Sequence, residues 1–259
     1  MRTIELQNEE FWWIEIPEET ENISYSFTDR IYTELEGIWI DAGHSADSSF
    51  FSGRELNAPN LQLISITVRS ANIYHFLQGI TLNAPKLKYI QLSGEGAIKC
   101  FRRMTENINP APVLEGISLI DTGITEIPDF ILNTGTLTSL NFRNEKLTGI
   151  PASLFNLVNL EHLRFEYCTD IRVIPDEIRN LVNLGFFGLW GASLAYLSPE
   201  LFRLPRLTGV DMVSTHYEPD EEMLNAVGKF MEREEVQFGL WENFNSEHLF
   251  SGVLQENSF

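Results

Sequence analysis

Apolar residues recur along the middle of the chain with almost constant spacing. Within each unit the fourth and sixth places are apolar and alternate with outward-facing ones, which is the two-residue period of a β-strand. The second half of the units spaces its apolar groups by three or four and in several of them carries proline after isoleucine, as in Ile150-Pro151, which predicts a short helical turn. A period of 23 or 24 residues with one strand and one return segment predicts a solenoid of parallel strands. The units start at Leu137, Leu160, Leu184 and Leu207.

Units of 26 or 27 residues with the same strand rhythm precede the central ones, and their strands begin near Leu35, Leu61 and Leu87. Two of these strands are introduced by near copies, the segments 56–61 and 82–87. Earlier still, the segment 11–16 predicts the first strand of the sheet. Ile4 and Leu6 alternate with polar residues and predict a further strand that covers the open end.

The pattern changes after Leu207. Residues 218–231 space their apolar groups as a full helix does and place carboxylates in the first turn, where they complement the helix dipole. The segment 238–241 copies 187–190 and predicts the last strand. We therefore expect about ten strands in one continuous solenoid domain over residues 1–259. Its predicted parts are an N-terminal cap with the first repeat (1–34), longer repeats (35–113), compact repeats (114–206), and the last repeats with a helix and a C-terminal cap (207–259).

These units resemble leucine-rich repeats of the compact type in which isoleucine is followed by proline, a resemblance that suggests a bacterial protein. It implies an α/β fold: a right-handed horseshoe with a concave parallel β-sheet, short helices or 3-10 turns on the convex side, and a protein partner. The family usually has asparagine at the ninth place, bonded to the turn backbone. Threonine and cysteine can replace it, but we expect looser or water-bonded turns at Glu145 and Ala192. The ninth places hold Thr122, Glu145, Cys168, Ala192 and Thr215.

The chain is strongly acidic, with 37 Asp and Glu against 18 Lys and Arg and a net charge of −19. Because phosphate affinity rises with Lys and Arg, we expect neither nucleic acid nor an anionic membrane as partner. The acidity fits a basic protein partner, but it also fits plain solubility, which is the more common cause. No apolar run approaches the length of a membrane span, and residues 1–15 lack a signal-peptide core. We expect a monomer without membrane insertion, either cytoplasmic or a soluble secreted effector.

The strand phase also predicts which side chains face the concave groove, namely the third, fifth and seventh places of each unit. Aromatic residues occupy such places toward both ends, and a small basic group lies between them. Exposed aromatic and arginine side chains are typical of binding surfaces. The alternative is that caps cover the terminal aromatics and that the arginines pair with Glu145 and Glu166. The predicted partner-binding residues are Trp39, Tyr89, Arg143, His162, Arg164, Phe186, Trp190 and Trp241.

Signals for catalysis are weak, and we expect no enzymatic activity, cofactor or metal. Cys168 and Asp170 form the Cys-x-Asp found in a family of bacterial ubiquitin ligases, but the repeat phase already places this cysteine inside the core. His162 lies beside Arg164 and Glu166, although a histidine lining a binding groove is more common than a catalytic one. A metal site is a further alternative for one group of acidic residues and a histidine near residue 220. The start of a helix, where acidic residues are common, explains these residues better. Its candidate ligands are His216, Glu218, Asp220 and Glu221.

The function predicted from the sequence is a non-enzymatic protein-protein interaction module that binds its partner on the concave face. One alternative is an effector or ligase-like protein whose catalytic domain is absent from this chain. The other is an acidic neutraliser of a basic toxin, of the immunity-protein type. The dependence of the association rate on ionic strength distinguishes the neutraliser from a groove with aromatic anchors. Association steered by opposite charges slows steeply as salt is added, whereas association through aromatic anchors is much less sensitive.

Overall fold

A computed structural model of the chain describes residues 4–6, 11–16, 32–42, 55–68, 81–99, 113–233 and 236–239. Their contacts group the chain into two compact units, Met1–Ile124 and Thr125–Phe259. Each unit is built on a sheet of mostly parallel strands with short return segments. The organisation of residues 1–259 as a single domain stays a prediction.

The first unit contains a sheet in the order β1-β2-β3-β5-β7-β8. The N-terminal strand runs antiparallel to its neighbour and the others are parallel, so the strand predicted from Ile4 and Leu6 forms. The near copies at 56–61 and 82–87 begin inside two short strands, β4 and β6, which pair with each other in a separate small sheet. The strands are β1 Ile4–Leu6, β2 Phe11–Ile16, β3 Gly37–Ala42, β4 Glu55–Asn57, β5 Leu63–Val68, β6 Thr81–Asn83, β7 Tyr89–Ser93 and β8 Gly116–Ile120.

The second unit contains parallel strands in the order β9-β10-β12-β14-β15. These strands are β9 Ser139–Arg143, β10 His162–Glu166, β12 Phe186–Trp190, β14 Gly209–Asp211 and β15 Gln237–Gly239. Two shorter strands, β11 Val173–Ile174 and β13 Tyr196–Leu197, pair on the return side. The return segments are helix α1 Asp129–Leu132, 3-10 turns Ala152–Asn156 and Asp176–Asn180, helix α2 Glu200–Arg203 and helix α3 Glu221–Met231.

Equivalent repeat places lie side by side in this sheet, so the core consists of stacked rows. Leu163 pairs in register with Leu140 on one side and with Phe187 on the other. The next inward row holds Phe142, Phe165 and Leu189, each with 0% exposure, and the first two rings stack at 5.3 Å. Burying one such side chain contributes about 1.5–3 kcal/mol, and it requires the adjacent repeat. The predicted strand phase is therefore confirmed.

A left-handed backbone residue follows the strand in each of these repeats, always at the eighth place, which the sequence pattern did not predict. Glycine adopts this conformation freely and Asn or Asp tolerates it, whereas a bulky residue is strained there. The residues are Gly94 (φ 83°), Asp121 (54°), Asn144 (54°), Tyr167 (56°), Gly191 (71°) and Ser214 (58°). Four of these six residues are not glycine.

The expectation of looser or water-bonded turns at Glu145 and Ala192 stays a prediction. Before Glu145, the Asn144 amide donates to the Glu166 carbonyl at 2.8 Å, as the Tyr167 amide donates to the Trp190 carbonyl at 2.9 Å one repeat later. The carbonyl of Ala192 accepts from an amide at 2.9 Å. Glu145 and Ala192 are 2% and 1% exposed, and these main-chain bonds join their turns to the next coil.

At other ninth places, the expected stand-ins do make the bond. The Thr215 hydroxyl donates to the Leu189 carbonyl at 2.5 Å, and the Cys168 thiol lies 3.6 Å from the Phe142 carbonyl. Threonine and cysteine therefore hold the turn of the preceding coil, as expected.

The predicted C-terminal helix forms as α3, three residues later than the apolar spacing suggested. It begins at Glu221 because the Asp220 carboxylate accepts from the Met223 amide at 2.8 Å and caps the first turn. The predicted C-terminal cap, beyond the last strand, lies outside the described residues. Within the part of the chain that is described, no helix is both long and apolar enough to cross a membrane.

Candidate functional site

The outward side chains of β9, β10, β12 and β14 form one surface of the second unit, here called the strand face. Alternation along each strand puts the hydrophobic places in the core and leaves these side chains half-buried or exposed. Register brings neighbours together in rows, with His162 beside Phe186 and Glu166 beside Trp190. The strand face consists of Ser139, Asn141, Arg143, His162, Arg164, Glu166, Phe186, Trp190 and Asp211.

A stacked pair of Arg164 and Phe186 lies at the centre of this face. The guanidinium carbon is 4.6 Å from the ring centroid, which is a cation-π contact. The His162 ring lies 6.4 Å from the same aromatic ring at an interplanar angle of 39°. The structure thus brings together three of the predicted binding residues.

Glycines on the neighbouring strands make room for this pair. A Cβ on Gly209 would lie 2.6 Å from Cδ2 of Phe186, closer than real Cβ atoms approach. A Cβ on Gly188 would lie 3.2 Å from Cγ of Arg164. Because neither position carries a side chain, the ring and the arginine stem can lie flat across adjacent strands.

The arginines of the face differ in their partners. Nε of Arg143 lies 3.9 Å from Oε2 of Glu166, and the two side chains are 52% and 14% exposed, which is a weak, solvent-screened pair. Within the described residues, Arg164 has no carboxylate in ion-pair distance. Of the two arginines, Arg143 therefore forms a long ion pair with Glu166, and Arg164 does not.

An aromatic pair lies at the end of the strands, beyond the centre of the face. Tyr167 meets Trp190 edge to face, with centroids 6.3 Å apart at 79°. Its ring covers Gly191, where an added Cβ would lie 3.3 Å from Cδ1. The Trp190 Nε1 atom is buried and has no hydrogen-bond partner among the described residues.

Sequence reasoning missed Tyr167 because it counted only the third, fifth and seventh places as facing the groove. This side chain is 47% exposed, and its backbone is left-handed. A signal was present in the sequence: the same place holds Gly94, Asp121, Asn144, Gly191 and Ser214 in five other repeats. An aromatic residue among small polar ones and glycine is unusual at such a turn.

The two predicted residues of the first unit lie on its own outward strand surface. Trp39 is half-buried in β3, and Tyr89 is 43% exposed in β7. The Tyr89 hydroxyl donates to Oε2 of Glu115 at 3.1 Å, which raises the pKa of the phenol. The ammonium of Lys88, 3.0 Å from Oε1, lowers the pKa of that carboxyl. Trp241, the remaining candidate, lies outside the described residues.

Cys168 does not have the surroundings of a nucleophile. It is 0% exposed, and burial raises the pKa of its thiol to about 12, with the neighbouring carboxylates of Glu145 and Glu166 acting in the same direction. Reactive cysteines instead lie in accessible, electropositive surroundings that favour the thiolate. This cysteine is a core residue, as the repeat phase predicted.

The proposed metal ligands have local structural roles in part. Asp220 caps α3, and the backbone of His216 bonds to the preceding coil. No group of three or more His, Cys, Asp or Glu suited to a metal ion occurs among the residues that the structure describes.

An open cavity of about 800 Å³ lies between α2 and α3, away from the strand face. Three of its charged groups are paired within the protein. Arg203 contacts both Glu200 and Glu222, and Arg233 donates to the carbonyls of Phe202 and Leu204. These contacts join the two helices.

No protein-family model matches the chain. A probable disease resistance protein of Arabidopsis thaliana is 30% identical over 90 residues, which is 35% of this chain and 5% of the plant protein. Among solved structures, internalin C2 of Listeria monocytogenes is 17% identical with a TM-score of 0.44, covering 69% of this chain and 75% of that one.

A second internalin of that bacterium, inlF, is 14% identical with a TM-score of 0.48 and covers 83% and 69% of the two chains. A leucine-rich repeat protein of Leptospira interrogans is 14% identical with a TM-score of 0.44 and covers 81% and 61%. The repeated strand and return turn, the stacking of equivalent apolar residues in register and the left-handed residue after each strand together give this chain the fold of a leucine-rich repeat.

Proposed function

We propose that the chain is a non-enzymatic protein-protein interaction module and that it binds its partner on the strand face. The observation that carries this proposal is the Arg164–Phe186 stack, held at 4.6 Å on a surface that has no core to fill. Arginine and large aromatic residues are enriched among the side chains that dominate binding energy. A stacked arginine also loses less conformational freedom on binding than a mobile one.

The rest of the predicted set surrounds this stack. Arg143, His162 and Trp190 are its neighbours on the strand face, and we propose that they contact the same partner. Trp39 and Tyr89 in the first unit, and Trp241, stay predictions for further contacts. The partner itself is a protein of unidentified sequence.

The acidic neutraliser remains the second candidate, because a net charge of −19 would steer a basic partner toward the chain. The strand face argues against that use of this particular surface, since Arg143 and Arg164 would repel a basic protein. A neutraliser would have to bind elsewhere on the molecule.

The test is a selection of short random peptides displayed on phage and captured by the immobilised chain. Enriched peptides are synthesised, and their affinity is measured by fluorescence anisotropy for the wild type and for the double variant R164A/W190A. We expect the double variant to lose at least about tenfold in affinity, which corresponds to about 1.4 kcal/mol.

A matched control removes one arginine from the return side of the same unit. Arg179 is exposed in the turn Asp176–Asn180, so R179A lowers the positive charge as R164A does without touching the strand face. Circular dichroism melting verifies that each variant folds. Equal affinities for the wild type and R164A/W190A would rule out the strand face as the binding surface.

A further inference from the structure

We infer that the strand face recognises an extended acidic segment of its partner, with a carboxylate bound at Arg164 and an apolar side chain packed against Tyr167 and Trp190. This inference rests on the proposed function and adds the chemistry of the partner to it. It also assigns a binding role to Tyr167.

The charge of the face supports a carboxylate. In a chain of net charge −19, the face carries two arginines, Arg143 and Arg164, against two carboxylates, Glu166 and Asp211, so it is far less acidic than the chain as a whole. Both carboxylates have local contacts: Glu166 faces Arg143 at 3.9 Å, and Oδ1 of Asp211 accepts from the Val213 amide at 3.3 Å. Arg164 is thus the cation of the face that lacks a carboxylate partner among the described residues.

The geometry of the stack suits a carboxylate as well. Phe186 covers one flat side of the guanidinium at 4.6 Å, and such stacking leaves the N–H groups free at the edge of the plane. Arginine binds carboxylates through two parallel hydrogen bonds in that plane. The ring therefore holds the arginine in place without using the donors that a carboxylate needs.

The backbone strain at Tyr167 supports the inference of an apolar contact. An aromatic residue at φ 56° is strained, and four of the other five left-handed residues at this place are glycine, aspartate or asparagine, which accept this backbone more easily. Burial of the side chain does not offset this strain, since the side chain is 47% exposed. Its edge-to-face contact with Trp190 makes a rigid apolar surface at the end of the strands.

The spacing of the two subsites predicts the spacing of the partner's side chains. Arg164 lies on β10 and Tyr167 is the first residue after that strand, so the two subsites are at most roughly 10 Å apart along the strand direction. An extended peptide lying along the strands would therefore place its carboxylate within about three residues of its apolar anchor.

The experiment uses the same displayed library of short random peptides and the full chain. Peptides enriched on the wild type over R164A/W190A should carry Asp or Glu within about three residues of an aromatic or aliphatic residue. Enrichment of Lys or Arg, or of peptides without any acidic residue, overturns the inference while the proposed function stands. If no peptide prefers the wild type over the double variant, both fall together.

Two substitutions at Tyr167 separate a binding role from a structural one. Y167N puts a residue that tolerates the left-handed backbone at this place, and Y167F keeps the ring without its hydroxyl. We expect Y167N to melt no lower than the wild type and to bind the selected peptides about tenfold more weakly, with Y167F close to wild type. A Y167N variant that melts lower yet binds like the wild type would show that the tyrosine is structural.

The variant R164K tests the carboxylate contact itself. Lysine keeps the positive charge but lacks the planar fork and the flat face that stacks on Phe186. We expect R164K to weaken peptide binding by at least about half as much as R164A does, measured as the change in the logarithm of the affinity. Full wild-type affinity in R164K would show that net charge alone, not a carboxylate fork, is recognised.

Discussion

At the scale of single residues, burial determines what each functional group can do. Cys168 shows this most clearly, because its thiol lies in the core with a pKa raised to about 12. The thiol form is stable inside the fold, and the thiolate that would act as nucleophile is not formed near neutral pH.

We predict that Cys168 resists thiol reagents in the native protein. In a C100S variant, which leaves one cysteine, labelling by a disulfide reagent at neutral pH should be more than about a hundredfold slower than in denaturant. Comparable rates in the two conditions would contradict the burial of this residue.

The free energy of unfolding should also fall as pH rises from 9.0 through about 12, because the thiol of the unfolded chain ionises first.

Single residues also show where sequence reasoning succeeds. Phe142 and Phe165 were expected in the core from their place in the repeat, and both have 0% exposure. Alternation along a strand is a local property, so it can be read from the sequence. The direction of the Tyr167 side chain depends on a left-handed φ of 56°, which no hydrophobic pattern encodes.

At the scale of elements, the ends of the segments depend on polar contacts more than on apolar spacing. Helix α3 begins at Glu221 because Asp220 accepts from the Met223 amide, although the sequence pattern predicted a start at residue 218. Acidic residues at the first turn were visible in the sequence, but the one that caps could not be distinguished from its neighbours.

We predict that D220A lowers the free energy of unfolding by about 1 kcal/mol, since the first turn loses its side-chain acceptor. D220S and D220N should recover most of the loss, because both residues are good N-caps. Urea unfolding followed by circular dichroism measures the difference. Equal stability of D220A and D220S would argue against the cap.

The short strands of the return side are elements that the sequence did not predict. β11 and β13 have two residues each, and β4 and β6 have three. They form because stacking of the coils places their backbones side by side. Their pairing is a consequence of the repeat and not of local propensity.

At the scale of the whole molecule, each repeat is stabilised by its neighbours. Phe165 packs on Phe142 at 5.3 Å, and its strand pairs with β9 and β12. In an array of this kind stability is close to a sum of repeat and nearest-neighbour terms, so a core defect should act locally.

We predict that F165A costs about 3–5 kcal/mol and that native-state amide exchange accelerates most in β9, β10 and β12. Helix α3 should retain more of its protection. The control V182A changes a residue that is 47% exposed, and it should alter stability by less than about 0.5 kcal/mol. Uniform loss of protection over residues 125–233 in F165A would show instead that this unit unfolds as one body.

The sequence alone determined the repeat, the phase of its strands and the acidic net charge, because these depend on composition and on neighbours along the chain. The tertiary structure decided what lies across the strands. Gly188 and Gly209 make room for Arg164 and Phe186 to stack, and the left-handed turn brings Tyr167 against its aromatic neighbour. Such contacts depend on the register between distant segments, which is a property of the folded coil.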